Sequence, residues 1–98
     1  MSIQPAMADS LPVDGSVVSG SASISKTSDV MTINQLTTSA TITWDSFSIG
    51  SGKTVNFIQP SSSSVALNKV LGSNPSHIFG TLNANGHVFL SNPNGILF

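Results

Sequence analysis

Val55-Asn56-Phe57-Ile58-Gln59-Pro60 followed by Val65-Ala66-Leu67, and then Val88-Phe89-Leu90-Ser91-Asn92-Pro93 followed by Ile96-Leu97-Phe98, decide how the chain is read. The first pair is preceded by Phe47-x-Ile49 and the second by Phe79-x-x-Leu82, so the same order of apolar runs returns further along the chain. Three short apolar strands separated by turns, recurring in that order, suit one coil of a β-solenoid in which matching strands stack on the next coil. A β-sandwich also shows short strands at regular spacing. It does not require the order of spacings and the Pro position to return, so the repeat favours the solenoid.

Outward from the repeat, apolar and small polar residues alternate in Ala22-Ser23-Ile24, Met31-Thr32-Ile33 and Ala40-Thr41-Ile42-Thr43-Trp44. A period of two places Ala40, Ile42 and Trp44 on one strand face and Thr41 and Thr43 on the other. Clusters of Gly, Asn, Ser and Pro at Gly20, Gly50-Ser51-Gly52, Pro60 to Ser64, Gly72 to Pro75, Asn83 to Gly86 and Asn92 to Gly95 punctuate the chain and leave only short strands between them. The expected organisation is coils over residues 47–98 with capping strands over 9–46. One coil cannot bury its own face: each Val, Ile, Leu or Phe contributes about 1.5 to 3 kcal/mol on burial, against about 1 to 2 kcal/mol to order each residue's backbone. Some three repeats are usually needed, so the pattern is expected to be the start of a longer solenoid.

Composition sets the exclusions. The 98 residues carry three Lys, four Asp, no Arg, no Glu and no Cys, with 7% charged residues and a formal net charge of -1. Phosphate neutralisation needs clustered Lys or Arg, and Lys26, Lys53 and Lys69 stand apart, which excludes a basic nucleic-acid binder. Disorder through low apolarity is excluded by the 39% hydrophobic share. Ser is the commonest residue type, and with Thr it takes the place of the usual charged surface. No apolar run approaches the roughly 18 residues of a transmembrane helix. Gln4-Pro5-Ala6-Met7-Ala8 before Asp9 has the small-x-small pattern of a signal-peptide cleavage site, so residues 1–8 are read as a signal remnant or cloning scar.

Enzymatic chemistry is poorly provisioned. Asp9, Asp14, Asp29 and Asp45 are the carboxylates, unpaired in sequence, so no catalytic residue is expected. His77 and His87 lack neighbours at metal-ligand spacing and are read as surface or structural, leaving no metal or cofactor expected. Gly50-x-Gly52-Lys53-Thr54 resembles the end of a phosphate loop, but position 47 is Phe where the motif needs Gly, and no helix pattern follows. Asn92-Pro93-Asn94-Gly95 is more specific. Pro93 fixes φ, Asn side chains bond nearby backbone, and Gly95 permits positive φ, so a solenoid corner is expected.

Together, Leu11-Pro12 with Gly15, Met31 to Gln35, Ile42 to Gly50, Val55-x-Phe57-x-Gln59-Pro60, Ser64 to Val70, and Gly80 to Ile96 resemble the N-terminal secretion domain of two-partner secretion exoproteins, the filamentous haemagglutinin-type haemagglutination activity domain. The resemblance implies an all-β, right-handed parallel β-helix with N-terminal capping strands, at the front of a large Gram-negative exoprotein, with the family's domain running on past residue 98. It also implies a chain secreted via the periplasm and recognised by the POTRA domains of a TpsB-type outer-membrane β-barrel transporter. The exoprotein itself would be an adhesin, a haemolysin, a haem-acquisition protein or a contact-dependent toxin, with a host-cell glycan or receptor reached through the full-length protein. The family's secretion motif carries to Asn92, Pro93, Asn94 and Gly95, and Asn34, Gln59, Asn68 and Lys69 are expected secondary contacts. Lys69 stands where Arg is common, and Asp14 where a Gly often precedes Gly15. The alternative is an adhesive module that binds glycan or haem directly.

Overall fold

Alternating apolar and small polar residues form short strands and no helix among residues 10–98, which a computed structural model describes. The expected signal remnant lies outside the described residues. In chain order the strands are β1 (Ser16–Ser19), β2 (Ala22–Lys26), β3 (Val30–Gln35), β4 (Ser39–Trp44), β5 (Thr54–Ile58), β6 (Val65–Val70), β7 (Ser76–His77), β8 (Thr81–Ala84), β9 (His87–Ser91) and β10 (Ile96–Leu97). No described helix is long and apolar enough to cross a membrane.

The strands stack as a β-helix. One sheet runs β1-β4-β6-β9 and another β2-β3-β5-β8, while a narrow third face pairs β7 with β10. Within each sheet the coil strands are parallel, and the first strand alone is antiparallel: β1 on β4 and β2 on β3. An isolated parallel bridge between Ile49 and Ile78 continues the third face. The described coils are therefore β3-β4 with Ile49, then β5-β6-β7, then β8-β9-β10.

Inward residues of successive coils form columns. Met31 lies over Val55 and Leu82, and Ile33 over Phe57 and Ala84. On the other sheet Ala40 lies over Ala66 and Val88, and Ile42 over Asn68 and Leu90. Trp44, Phe47 and Ile49 are almost wholly buried, with the Trp44 and Phe47 rings edge to face at 5.4 Å. Strands β1 and β2 close one end of this interior, where Val17, Ala22 and Ile24 pack on the core and Leu11 is buried with it.

The solenoid is as expected, but its phase is not. Val55 pairs with Leu82 rather than with Val88, and Ala66 pairs with Val88 rather than with Leu97. The expected alignment sets Val55-x-Phe57 against Val88-x-Leu90, which belong to different sheets. Both runs alternate with period two because each has one buried face, so strand pattern alone does not say which sheet a strand joins. Corner lengths differ from coil to coil, which removes any single offset. Parallel stacking also starts earlier than the expected division at 46/47: β3 and β4 already pair in parallel with β5 and β6, and the antiparallel cap ends at Lys26.

Candidate functional site

The Asn92 to Gly95 turn stands on the narrow third face, immediately before β10, and seats on the corner of the coil beneath. Gly95 N–H donates to the Asn92 carbonyl at 3.1 Å, and Asn94 N–H donates to Asn92 Oδ1 at 2.9 Å. Gly95 adopts φ 107°, a region closed to most side chains. These bonds make the turn. Those to the preceding coil anchor it: Asn92 Nδ2 donates to the Asn74 carbonyl at 3.0 Å and to Ser76 Oγ at 2.9 Å, and Asn94 Nδ2 donates to the Gly72 carbonyl at 2.8 Å. Asn94 Nδ2 also donates to Asn92 Oδ1 at 3.0 Å, and Ser76 N–H to the Gly95 carbonyl at 2.9 Å.

The carboxamide of Asn92 thus donates twice and accepts twice, which is its full capacity. Asn92 is a clamp between corners, and what the turn leaves exposed is backbone, Pro93 and the side-chain oxygen of Asn94. Gly72 permits the underlying corner to lie against Asp45: a β-carbon there would collide with the Asp45 carbonyl oxygen. Sequence reasoning missed the lower half of this site, although Ser-Asn-Pro occurs at 73–75 as well as at 91–93 and marks both corners.

A second corner holds stacked carboxamides. Gln35 Nε2 donates to the carbonyls of Thr37, Thr38 and Val65 at 2.7, 3.1 and 3.0 Å. Gln59 Nε2 donates to Gln35 Oε1 at 3.2 Å and to the His87 carbonyl at 3.0 Å, while its Oε1 accepts from Gly86 N–H at 2.8 Å. Asn85 then imitates a strand residue, accepting from Gln59 N–H and donating to the Gln59 carbonyl, each at 2.7 Å.

The other expected contacts are scattered. Asn34 is exposed on β3, in register with Ser23 and Ile58, whereas Lys69 is exposed on β6 of the other sheet, in register with Thr43 and Ser91. Gln59 and Asn68 are 5% and 0% exposed. Their expected role as surface contacts is corrected by that burial, because the folded domain presents neither side chain to a partner. Both stand at inward parity, Gln59 after Val55 and Phe57 and Asn68 between Ala66 and Val70, and that signal was available in the sequence. Asp29 pairs with Lys53 Nζ at 2.6 Å, and Lys53 also donates to the Ser28 carbonyl at 3.0 Å. His77 is half-buried with its ring edge to face on Phe79 at 5.4 Å, and His87 is exposed. No group of three or more metal-ligating side chains occurs among the described residues.

Comparison with known proteins agrees with this geometry. The family model described as the TPS secretion domain matches residues 8–98. A heme/hemopexin-binding protein of Haemophilus influenzae strain Rd is 50% identical over 92 residues, covering 94% of this chain and 10% of that protein. A second Haemophilus influenzae protein of the same name is 48% identical over 87 residues, covering 88% of this chain and 9% of its own length. The crystal structure of the HMW1 secretion domain from Haemophilus influenzae superposes with a TM-score of 0.80 at 34% identity, over 87% of this chain and 23% of that one. The chain thus spans about a tenth of the length of the curated relatives it matches.

Proposed function

This chain belongs to the TPS secretion domain family, and from that premise we propose that it directs a Gram-negative exoprotein through the periplasm to the POTRA domains of a dedicated outer-membrane β-barrel transporter. The observation that carries the reading is the family match over residues 8–98 on a β-helix like that of the HMW1 secretion domain. The mode of contact proposed is strand addition. Strand addition pairs an extended segment of the partner with an exposed sheet edge through main-chain hydrogen bonds.

Composition supports passage of an unfolded chain. Few charges and no cysteine leave little to resist threading through a narrow barrel. Each coil gains burial only from its neighbours, so stability accrues coil by coil outside, and folding there biases transport outward. The domain's role in this reading is recognition without catalysis. For the longer protein, identity to proteins called heme/hemopexin-binding favours haem or hemopexin binding among the possible activities.

The test is co-purification of the chain with the isolated POTRA domains of its transporter. Retention is expected. A folded chain that ignores those domains yet binds haem or glycan by itself would overturn the proposal in favour of a directly adhesive module. Cys pairs locking adjacent coils are expected to stall export under oxidising periplasmic conditions, and unimpaired export would refute unfolded passage.

A further inference from the structure

Two Asn-Gly steps occur in the chain, Asn85-Gly86 and Asn94-Gly95, and both lie at corners of the last described coil. In a mobile chain such a step is chemically labile, because Gly carries no β-carbon to hinder attack by its own backbone nitrogen on Cγ of the preceding Asn. The nitrogen–Cγ bond forms, the Cγ–Nδ2 bond breaks, and Nδ2 leaves as ammonia, giving a five-membered succinimide. Solvent water then opens one ring carbonyl, yielding Asp or isoaspartate. The net change exchanges a carboxamide and water for a carboxylic acid and ammonia, with no oxidation or reduction.

The fold obstructs both steps in the same way. Attack requires the Gly nitrogen to give up its proton and swing toward a free carboxamide. Gly86 N–H is instead held by Gln59 Oε1 at 2.8 Å, while the Asn85 carboxamide is gripped by the Gln59 backbone at 2.7 Å on each side. Gly95 N–H is held by the Asn92 carbonyl at 3.1 Å, while Asn94 Nδ2 is fixed to the Gly72 carbonyl at 2.8 Å and to Asn92 Oδ1 at 3.0 Å. Gln59 and Gly72 belong to the coil beneath, so the whole grip at Asn85 and the Gly72 bond at Asn94 exist only once the last described coil has docked on it, while the bonds to Asn92 close within the turn and complete the grip at Asn94.

We propose that Asn85 and Asn94 are deamidation sites of the unfolded chain, and that docking of the last coil on the one before it switches both off. Their conversion then records the time a chain has remained unfolded. The product at position 94 faces the Gly72 carbonyl and Asn92 Oδ1 with a carboxylate where two N–H donors stood, so three acceptors meet without a proton between them. At position 85 a carboxylate oxygen faces the Gln59 carbonyl. A chain that has aged in this way is expected to close its last coil poorly. The inference rests on hydrogen bonding within the chain and is independent of the proposed role in secretion.

The experiment incubates the purified chain in mildly alkaline buffer with and without denaturing urea, and follows each Asn by peptide mass spectrometry as a gain of about one dalton, with enzymatic methyl transfer to identify isoaspartate. Asn34, Asn56 and Asn83, followed by Gln, Phe and Ala, serve as internal controls. In urea, Asn85 and Asn94 are expected to convert well ahead of the controls. In buffer, both should slow by at least about tenfold, since reaction requires local opening. Equal rates in the two conditions at either site overturn the proposal. Gln59→Leu removes the acceptor of Gly86 N–H but leaves the backbone bonds to the Asn85 carboxamide, so in a folded chain Asn85 is expected to convert measurably faster than in the unaltered chain while Asn94 keeps its protection. If circular dichroism shows that variant unfolded, both sites must react at the urea rate. Undiminished protection of Asn85 in either case overturns the assignment.

Discussion

The Trp44 indole N–H donates to Asn68 Oδ1 at 2.9 Å inside the solenoid, and Asn68 Nδ2 donates onward to the Phe89 carbonyl at 3.3 Å. One fully buried carboxamide thereby ties together β4, β6 and β9 in an otherwise apolar column between Ile42 and Leu90. Truncation to Asn68→Ala leaves the indole nitrogen unpaired in a dry interior and is expected to cost about 1 to 3 kcal/mol. Pairing Asn68→Leu with Trp44→Phe removes both partners, so the double variant should lose less than the sum of the singles. Urea unfolding midpoints of the complete cycle check this.

The corner clamp predicts an order of severity. Asn92→Ala deletes bonds to Asn74, Ser76 and Asn94, whereas Asn94→Ala deletes those to Gly72 and Asn92 and leaves the Asn92 anchor to the lower corner in place. Asn92→Ala should therefore destabilise more, by about 1 to 3 kcal/mol, and reduce extracellular yield further. Equal secretion by both variants, with unchanged stability, would make the turn a passive corner.

Gly72→Ala should mimic loss of the clamp without touching it. A β-carbon at 72 meets the Asp45 carbonyl oxygen, so the corner must move off the coil beneath and carry the Asn94 acceptor with it. Crowding of this kind costs about 1 to 3 kcal/mol. Thermal unfolding reads the loss, and faster amide exchange at Ser76 and Gly95 locates it.

Lys53 and Asp29 join the start of β5 to the loop before β3 by an ion pair with unequal burial, 13% and 66% exposed. Asp29→Asn is expected to cost no more than about 1 kcal/mol, because the carboxylate faces water. Lys53→Ala should cost more, since it also strips the Ser28 carbonyl of its donor. The comparison is made at low and high salt, and the Asp29 effect should shrink at high salt.

Local chemistry was the legible part of this sequence. Period-two alternation assigns Ala40, Ile42 and Trp44 to one face, and all three are buried. Pro93, Gly95 and the flanking Asn residues define a turn that forms. Non-local register was not legible, because Val55-x-Phe57 and Val88-x-Leu90 have the same spacing although they face the core from different sheets. The inward polar residues are hidden for a related reason. Gln35, Gln59 and Asn68 continue buried alternations, yet a carboxamide suggests a surface until a neighbouring coil supplies its partners.

The antiparallel strands at the head of the stack carry an implication about polarity. β1 and β2 run against β4 and β3, so among the described residues the parallel stack is bounded at its head by strands of the opposite sense. From that boundary each described coil lies on the one before it in the chain, so the stack has a heading, and its heading is that of the polypeptide.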